Sequence, residues 1–303
     1  MTILLHLHLL ITRTVLPAVG LALLGAAACP PLAQASHGPG ISYAAIGSEP
    51  EDLKSLSVFR RQRTQAQSIL LKDLSSGRTL YEIGANRRVA PASLTKIMSA
   101  MVILEYGQLN DLVTVSPRAA KARKIHLRLH PGHVFRLEDL LKAMLITSAN
   151  DACLAAAEHV GGSEEMFVAM MNNKARRMGL LDTHFENACG FDGPTHYTTA
   201  ADLATLSETA MQNRTFRQLV RKEVDMIFPV NANRSYWLRS TNRLLGRVPG
   251  VEGIKTGFTS KAGRCVVLKA SQDGKEVLLV LLHANRRWDT ASTLLRQGLQ
   301  TLN

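Results

Sequence analysis

Apolar patterning along this chain changes period twice, and that change limits the fold more than any single motif does. Short apolar runs from Ser68 to Leu74 and from Arg78 to Ile83 flank Ser75-Ser76-Gly77, which reads as a hairpin. From Ser93 the period becomes helical: Leu94, Ile97, Met98, Met101, Val102 and Leu104 form a broad apolar face with no Gly or Pro before Gly107. Helical spacing returns in Leu137, Leu140, Leu141, Met144 and Leu145, in the stretch from Asp151 to Gly161-Gly162, from Ser163 to Gly179, and from Thr199 to about Gln212. After Asn213 strand-like runs resume at Val224 to Val230, Gly253 to Phe258, Arg264 to Ala270 and Lys275 to His283. The last two are joined by Asp273-Gly274, and an amphipathic helix follows from Trp288 to Leu302. Strands at both ends with helices between predict an α+β fold. Its first and last thirds share one antiparallel sheet flanked by helices, with an inserted all-helical subdomain at about residues 108–215.

The first 35 residues stand apart from this pattern. Met1 to Arg13 is a weakly basic lead, Thr14 to Ala28 is apolar, and Ala33-Gln34-Ala35 offers a small-residue cleavage site, so the segment reads as a secretory signal cleaved near Ala35. Pro17, Gly20 and Gly25 interrupt the apolar run, and no second run of spanning length follows, so a periplasmic or otherwise extracytoplasmic protein is expected. Residues 36–65, with Gly38-Pro39-Gly40 and Arg60-Arg61-Gln62-Arg63, read as a linker or extended arm, leaving 66–303 as the catalytic domain. Beyond the leader the cysteines are Cys153, Cys189 and Cys265. Their odd count and wide spacing match neither a disulfide framework nor a zinc site, so all three are expected as small buried residues, with one bridge left open. The formal net charge is +12, and the leader's only charged residue is Arg13. An anionic cell-wall polymer or membrane surface is the expected partner, and the basic segment around Arg118, Lys121, Arg123, Lys124, Arg128 and Arg136 reads either as a face toward it or as a solvated face. No aromatic-rich basic module points to nucleic acid.

Chemistry concentrates at Pro91-Ala92-Ser93-Leu94-Thr95-Lys96. One helical turn separates Ser93 from Lys96, so hydroxyl and amine can share a hydrogen bond. The start of a helix favours a developing oxyanion and lowers the pKa of a partly buried amine, the layout of an activated nucleophile. Composition alone would place a Ser-x-x-Lys roughly once in a chain of this length, so the pair needs company. Ser148-Ala149-Asn150 supplies it in a tight connection between two helices, and Lys255-Thr256-Gly257 in a strand before a hairpin. On that strand Lys255 and Thr256 can meet a carboxylate, and Gly257 leaves room for an acyl group.

The ordered triplet Ser93-x-x-Lys96, Ser148-x-Asn150, Lys255-Thr256-Gly257 resembles the motif set of penicillin-binding proteins and class A β-lactamases. With Val89 through Lys96, Ser148 through Ala152, Met178-Gly179 through Phe185 and Ile254 through Thr259, the chain is similar to the low-molecular-mass D-alanyl-D-alanine carboxypeptidases of serine peptidase family S11. The fold implied is β-lactamase/transpeptidase-like. The substrates implied are peptidoglycan stem peptides, with β-lactam antibiotics as covalent inhibitors and no cofactor. The resemblance gives Ser93 as nucleophile, Lys96 as base and Ser148 as proton relay. Asn150 would hold the substrate amide and Lys96, Lys255 and Thr256 the terminal carboxylate, and the N–H groups of Ser93 and Phe258 the oxyanion. His184 resembles a structural position in the family. Arg286 and Arg287, which follow the last strand, could supply a second clamp on the terminal carboxylate or be a surface pair on a basic protein. Histidines 126, 130, 133, 184, 196 and 283 lack metal spacing, so no metal is expected. A class A β-lactamase would need a Glu-x-x-Leu-Asn string, which is missing. A D-alanyl-D-alanine endopeptidase cutting cross-links and a non-catalytic β-lactam-binding sensor remain the alternatives.

Overall fold

The computed structural model describes residues 65–302; the expected signal segment and all but the last residue of the expected arm lie outside them. Its centre is a five-stranded antiparallel sheet in the order β2-β1-β9-β8-β7. The strands are β1 (Ala66–Asp73), β2 (Thr79–Ile83), β7 (Val251–Thr259), β8 (Gly263–Gln272) and β9 (Lys275–Ala284). Leu70 lies opposite Val280, so the first strand of the domain pairs with the last, as the period changes imply. The turn between β8 and β9 has φ of 51° at Asp273 and 77° at Gly274, the left-handed pair that an Asp-Gly hairpin supplies.

Two apolar layers hold the sheet. Leu278, Val280 and Leu282 of β9 face the helical layer, while Leu279 and Leu281 join Ile69, Leu71, Val266 and Leu268 beneath the terminal helix α8 (Arg287–Thr301). Burial on both faces explains why the run Val277 to Leu282 is continuously apolar rather than alternating. The helices of the middle are α1 (Lys96–Tyr106), α2 (Pro117–Ala120), α3 (Leu137–Ile146), α4 (Asn150–Gly161), α5 (Glu164–Arg177), α6 (Ala200–Gln212) and α7 (Arg214–Val220). Ser163, Thr199 and Asn213 cap α5, α6 and α7 by accepting from backbone N–H groups three residues on. Among the described residues no helix is long and apolar enough to cross a membrane.

Three details depart from the sequence reading. The middle is not purely helical, since β3 (Leu112–Thr114) pairs with β4 (Val134–Arg136). The run after Asn213 yields α7 first, and then β5 (Val224–Ile227), which pairs with β6 (Tyr236–Arg239) outside the main sheet. Cys153 and Cys189 form a disulfide, so among the described residues only Cys265 is a free buried thiol. Packing brings their Cα atoms to 6.0 Å, a distance that a separation of 36 residues does not foretell.

The bridge ties α4 to the loop before Gly190. By the chain-entropy estimate, closing a loop of that length stabilises the fold by about 4 kcal/mol. The variant Cys153→Ala is therefore expected to unfold several degrees below the parent, and reduction should lower the parent to the same midpoint. Thermal melts with and without reductant check this.

Candidate active site

Ser93 is partly exposed in a 3₁₀ turn, Ala92–Thr95, so that α1 begins at Lys96, one turn later than the start at Ser93 that the sequence suggests. Two glycines let other chain segments crowd this turn. A Cβ on Gly190, whose φ is +88°, would lie 2.0 Å from the Ala92 carbonyl oxygen, and one on Gly257 would meet Pro91 O at 3.1 Å and Ser93 N at 3.2 Å. Gly257 is therefore bare because β7 presses against the Ser93 turn, a tighter reason than room for an acyl group. Behind the turn stands His196, 2% exposed. Its Nδ1 accepts from Glu186 N at 3.0 Å, so Nε2 carries the proton and donates to Thr95 Oγ1 at 2.8 Å, which in turn donates to Ala92 O at 2.8 Å. Burial pushes His196 down to about 4, which keeps it neutral in this role.

Lys96 is fully buried at the start of α1 and meets three oxygens: Asn150 Oδ1 at 2.7 Å, Cys189 O at 2.6 Å and Ser93 Oγ at 3.4 Å. Desolvation, and then the neighbouring Lys255 charge, hold its pKa well below that of a solvated lysine. A neutral amine has two N–H donors and one lone pair. With the two shorter contacts taking the donors, the lone pair is left for Ser93 Oγ–H.

Each acceptor is fixed from outside the motif. Asn187 Oδ1 accepts from Cys189 N, Gly190 N and Phe191 N at 3.2, 2.8 and 2.9 Å, which folds the loop so that the Cys189 carbonyl reaches Lys96. Asn150 donates through Nδ2 to Arg123 O at 2.8 Å. With one partner at each end of its amide, Asn150 positions Lys96 here, and one Nδ2 N–H and one Oδ1 lone pair are left for the expected hold on a substrate amide. The buried Asp151 carboxylate accepts from Leu127 N and Leu129 N, pinning the basic 121–128 loop to the same corner.

A cavity of about 770 Å³ opens in front of Ser93, and Ser148, Thr256, Gly257, Phe258 and Arg287 line it. Ser148 sits at φ 66°, is 1% exposed, and its Oγ has no hydrogen-bond partner among the described residues. A strained backbone carrying an unsatisfied buried hydroxyl into a cavity marks a group held ready for a ligand. Thr256 Oγ1 bonds Thr241 Oγ1 at 2.6 Å. Lys255 does not line the cavity: it is 2% exposed, and Nζ donates to Thr256 O at 3.2 Å. Burial and the Arg287 charge push it down to about 7.

Of the two sequence candidates for a second clamp, Arg287 turns inward and Arg286 outward. Arg287 donates to Gly257 O at 3.0 Å and Cys265 O at 2.9 Å, with Nε buried and unpaired, whereas Arg286 pairs with Asp289 at the surface. His184 bonds Thr195 O near the surface. Arg118 of the basic segment is occupied by Glu158, Glu164 and Glu165. Among the described residues no group of His, Cys, Asp and Glu could hold a metal ion. Asn187, His196 and Gly190 are the site-building residues that sequence reasoning missed; the Asn187-to-Gly190 spacing is a turn signal that hints at the loop but not at its destination.

Comparison with known proteins gives the family. The family model described as D-alanyl-D-alanine carboxypeptidase, Peptidase S11, matches residues 56–286. The D-alanyl-D-alanine carboxypeptidase DacF of Bacillus subtilis is 34% identical over 73% of this chain and 58% of its own length. A D-alanyl-D-alanine carboxypeptidase of Mycobacterium tuberculosis is 32% identical over 77% of this chain and 82% of its own. The chain thus spans about three-fifths of the first of these relatives and most of the second. Among solved structures, a point mutant of a Streptomyces DD-transpeptidase superposes with a TM-score of 0.75 at 28% identity, covering 79% of this chain and 100% of the other. A D-alanyl-D-alanine carboxypeptidase from M. tuberculosis gives 0.74 at 30% identity, covering 79% and 92%.

Two lysines with depressed pKa values make the pH profile diagnostic. On the acid side Lys96 gains a proton and can no longer take one from Ser93. Above about pH 7 Lys255 loses its charge, and with it the pull on an anionic substrate. We expect kcat/KM to be bell-shaped, with its alkaline limb beginning near neutrality. In Lys255→Arg, whose guanidinium keeps its proton, that limb should disappear even if the maximum is lower. Initial rates across pH 5 to 10 test it, and an unmoved alkaline limb would remove Lys255 from the account.

Proposed function

Because the chain belongs to the D-alanyl-D-alanine carboxypeptidase family, we propose that it is a serine hydrolase that removes the terminal D-alanine from peptidoglycan stem peptides. The observation that carries this reading is the buried Lys96, whose two short contacts leave its lone pair for Ser93.

The peptide lies along the free edge of β7, with its terminal carboxylate at Thr256 Oγ1 and the Arg287 guanidinium. Lys255 strengthens the positive field from behind that wall. Lys96 takes the Ser93 proton as Oγ attacks the penultimate carbonyl. The resulting oxyanion rests on the N–H groups of Ser93 and Phe258, each such donor being worth roughly a hundredfold or more in rate. Ser148, with no protein partner for its hydroxyl, passes the proton from Lys96 to the departing amine, and D-alanine leaves. Water then hydrolyses the Ser93 ester, with Lys96 again the base. β-Lactams acylate the same oxygen and act as covalent inhibitors. The work is extracytoplasmic, where the substrate polymer lies, and the unpaired cations of the 121–128 loop face an anionic surface there.

A sensor that is acylated but never turns over is disfavoured by the presence of every proton-handling group. Incubation with diacetyl-Lys-D-Ala-D-Ala should release free D-alanine, and fluorescent penicillin should label the parent. Ser93→Ala should lose both. Labelling without D-alanine release would replace the hydrolase with the sensor, and labelling that survives in Ser93→Ala would mean a different nucleophile.

A further inference from the structure

Lys96 takes its two short contacts from two segments that must be held in step. Asn150 Oδ1 comes from the first residue of α4, and Cys189 O from the loop that also puts Gly190 against the Ala92 carbonyl. One loop therefore supports both the base and the turn that carries the nucleophile. That loop is bonded to α1, where Ser99 Oγ donates to Ala188 O at 2.5 Å, and to α5, where Glu164 Oε1 accepts from Ala188 N at 3.1 Å. Among the described residues no N–H or O–H hydrogen bond joins it to α4. The covalent link from Cys153 to Cys189 makes that connection instead. Cys153 follows Asn150 by three residues, on the same side of α4. Its sulfur lies 3.3 Å from Ala188 O, and the Cys189 sulfur lies 3.7 Å from Asn150 O. The bridge thus spans the corner that holds Lys96, with Cys153 0% and Cys189 1% exposed.

Without the bridge, loop and helix are free to part at this corner. A gap of about an ångström lengthens one of the amine contacts, and misplacement on that scale costs a reaction on the order of a hundredfold. It also lets water reach an amine that burial keeps uncharged. The other charges that bear on Lys96 are Lys255 on β7 and Asp151 on α4, and the bridge touches neither, so regained hydration pushes the Lys96 pKa up. Resting on the reading that Lys96 takes the Ser93 proton, we propose that Cys153 and Cys189 are positioning residues for the reaction. The oxidised pair sets the two Lys96 acceptors at their working spacing, and the chain reaches full activity only once that pair has formed. Formation is a thiol–disulfide exchange: the two thiols give up two protons and two electrons to a disulfide oxidant, which becomes two thiols. An oxidising extracytoplasmic compartment supplies such oxidants, and burial then shields the bridge, so the device acts once, as the chain folds.

The double variant Cys153→Ala/Cys189→Ala removes the bridge without leaving an unpaired thiol. Leu294→Ala, which opens a cavity under α8 in the other apolar layer, is the control for lost stability alone. All are assayed well below their melting midpoints. For the double variant we expect kcat/KM on diacetyl-Lys-D-Ala-D-Ala to fall about tenfold, a partial loss because Ser99 and Glu164 still hold the loop. Acylation by fluorescent penicillin should slow with it, and the acid limb of the pH profile should move up by about one unit. The single variant Cys153→Ala should change in the same direction, and Leu294→Ala should keep the parental acid limb. Wild type refolded in excess dithiothreitol should match the double variant and recover with oxidised glutathione. An unmoved acid limb with parental kcat/KM in the bridge-free proteins, or a shift that Leu294→Ala shares, overturns the proposal and leaves the bridge a stabilising link only. Failure of the oxidised wild type to release D-alanine overturns the underlying reaction instead, so the two failures are told apart.

Discussion

Everything in this cleft depends on keeping one amine dry. Lys96 can take a proton from Ser93 only if it reaches the site uncharged, and what keeps it uncharged is burial. A buried amine without acceptors would be costly, so the fold brings it two oxygens from separate segments, Asn150 and Cys189. Each is fixed in turn, Asn150 by the Arg123 carbonyl and the Cys189 loop by the Asn187 side chain. The disulfide joins the helix that begins with Asn150 to the loop that carries Cys189, so one covalent link braces both supports of the base.

The same economy governs how the nucleophile meets its substrate strand. β7 is an edge strand whose free side runs beside the Ser93 turn, which allows a peptide to add along it in extended form. Such closeness demands missing side chains. Gly257 on the strand and Gly190 on the loop both touch backbone atoms of Pro91 to Ser93, where a Cβ would collide at Gly190 and crowd the turn at Gly257. His196 and Thr95 hold the turn from the other side, so Ser93 is fixed by contacts on three sides before substrate arrives.

Legibility in the sequence followed the range of the forces involved. The long apolar runs of β1, β8 and β9 and the periodic helices α3 to α6 announce themselves, because burial imposes a period over many residues. The three-residue strands β3 and β4 and the four-residue β6 carry too few residues for a period. Ser93, Ser148 and Lys255 could be picked out because motifs at fixed spacing mark them. The Cys153–Cys189 bridge, the Asn187 loop and the His196 buttress could not, since each is defined by a partner at least 36 residues away or by where a loop ends. Arg287 was told from Arg286 only by the start of α8, which turns one side chain under the sheet edge and leaves its neighbour in water.

A site built this way is a burden on the fold. Lys96, Lys255 and Arg287 are basic groups with most of their water removed, and each has its pKa pulled down by that loss. Ser148 adds a left-handed backbone and an unpaired hydroxyl, strain on the order of 1–3 kcal/mol. Among the described residues none of these groups forms an ion pair with a carboxylate, and for Lys96 the pull of the buried Asp151 is outweighed by burial and the Lys255 charge. The compensation lies in a sheet that is apolar on both faces and packed between α8 and the helical layer. Placing an acid inside the cleft would relieve the charge but would occupy the place that an anionic peptide must take. The positive cleft thus leaves that place open to an anion beside an amine that burial holds neutral.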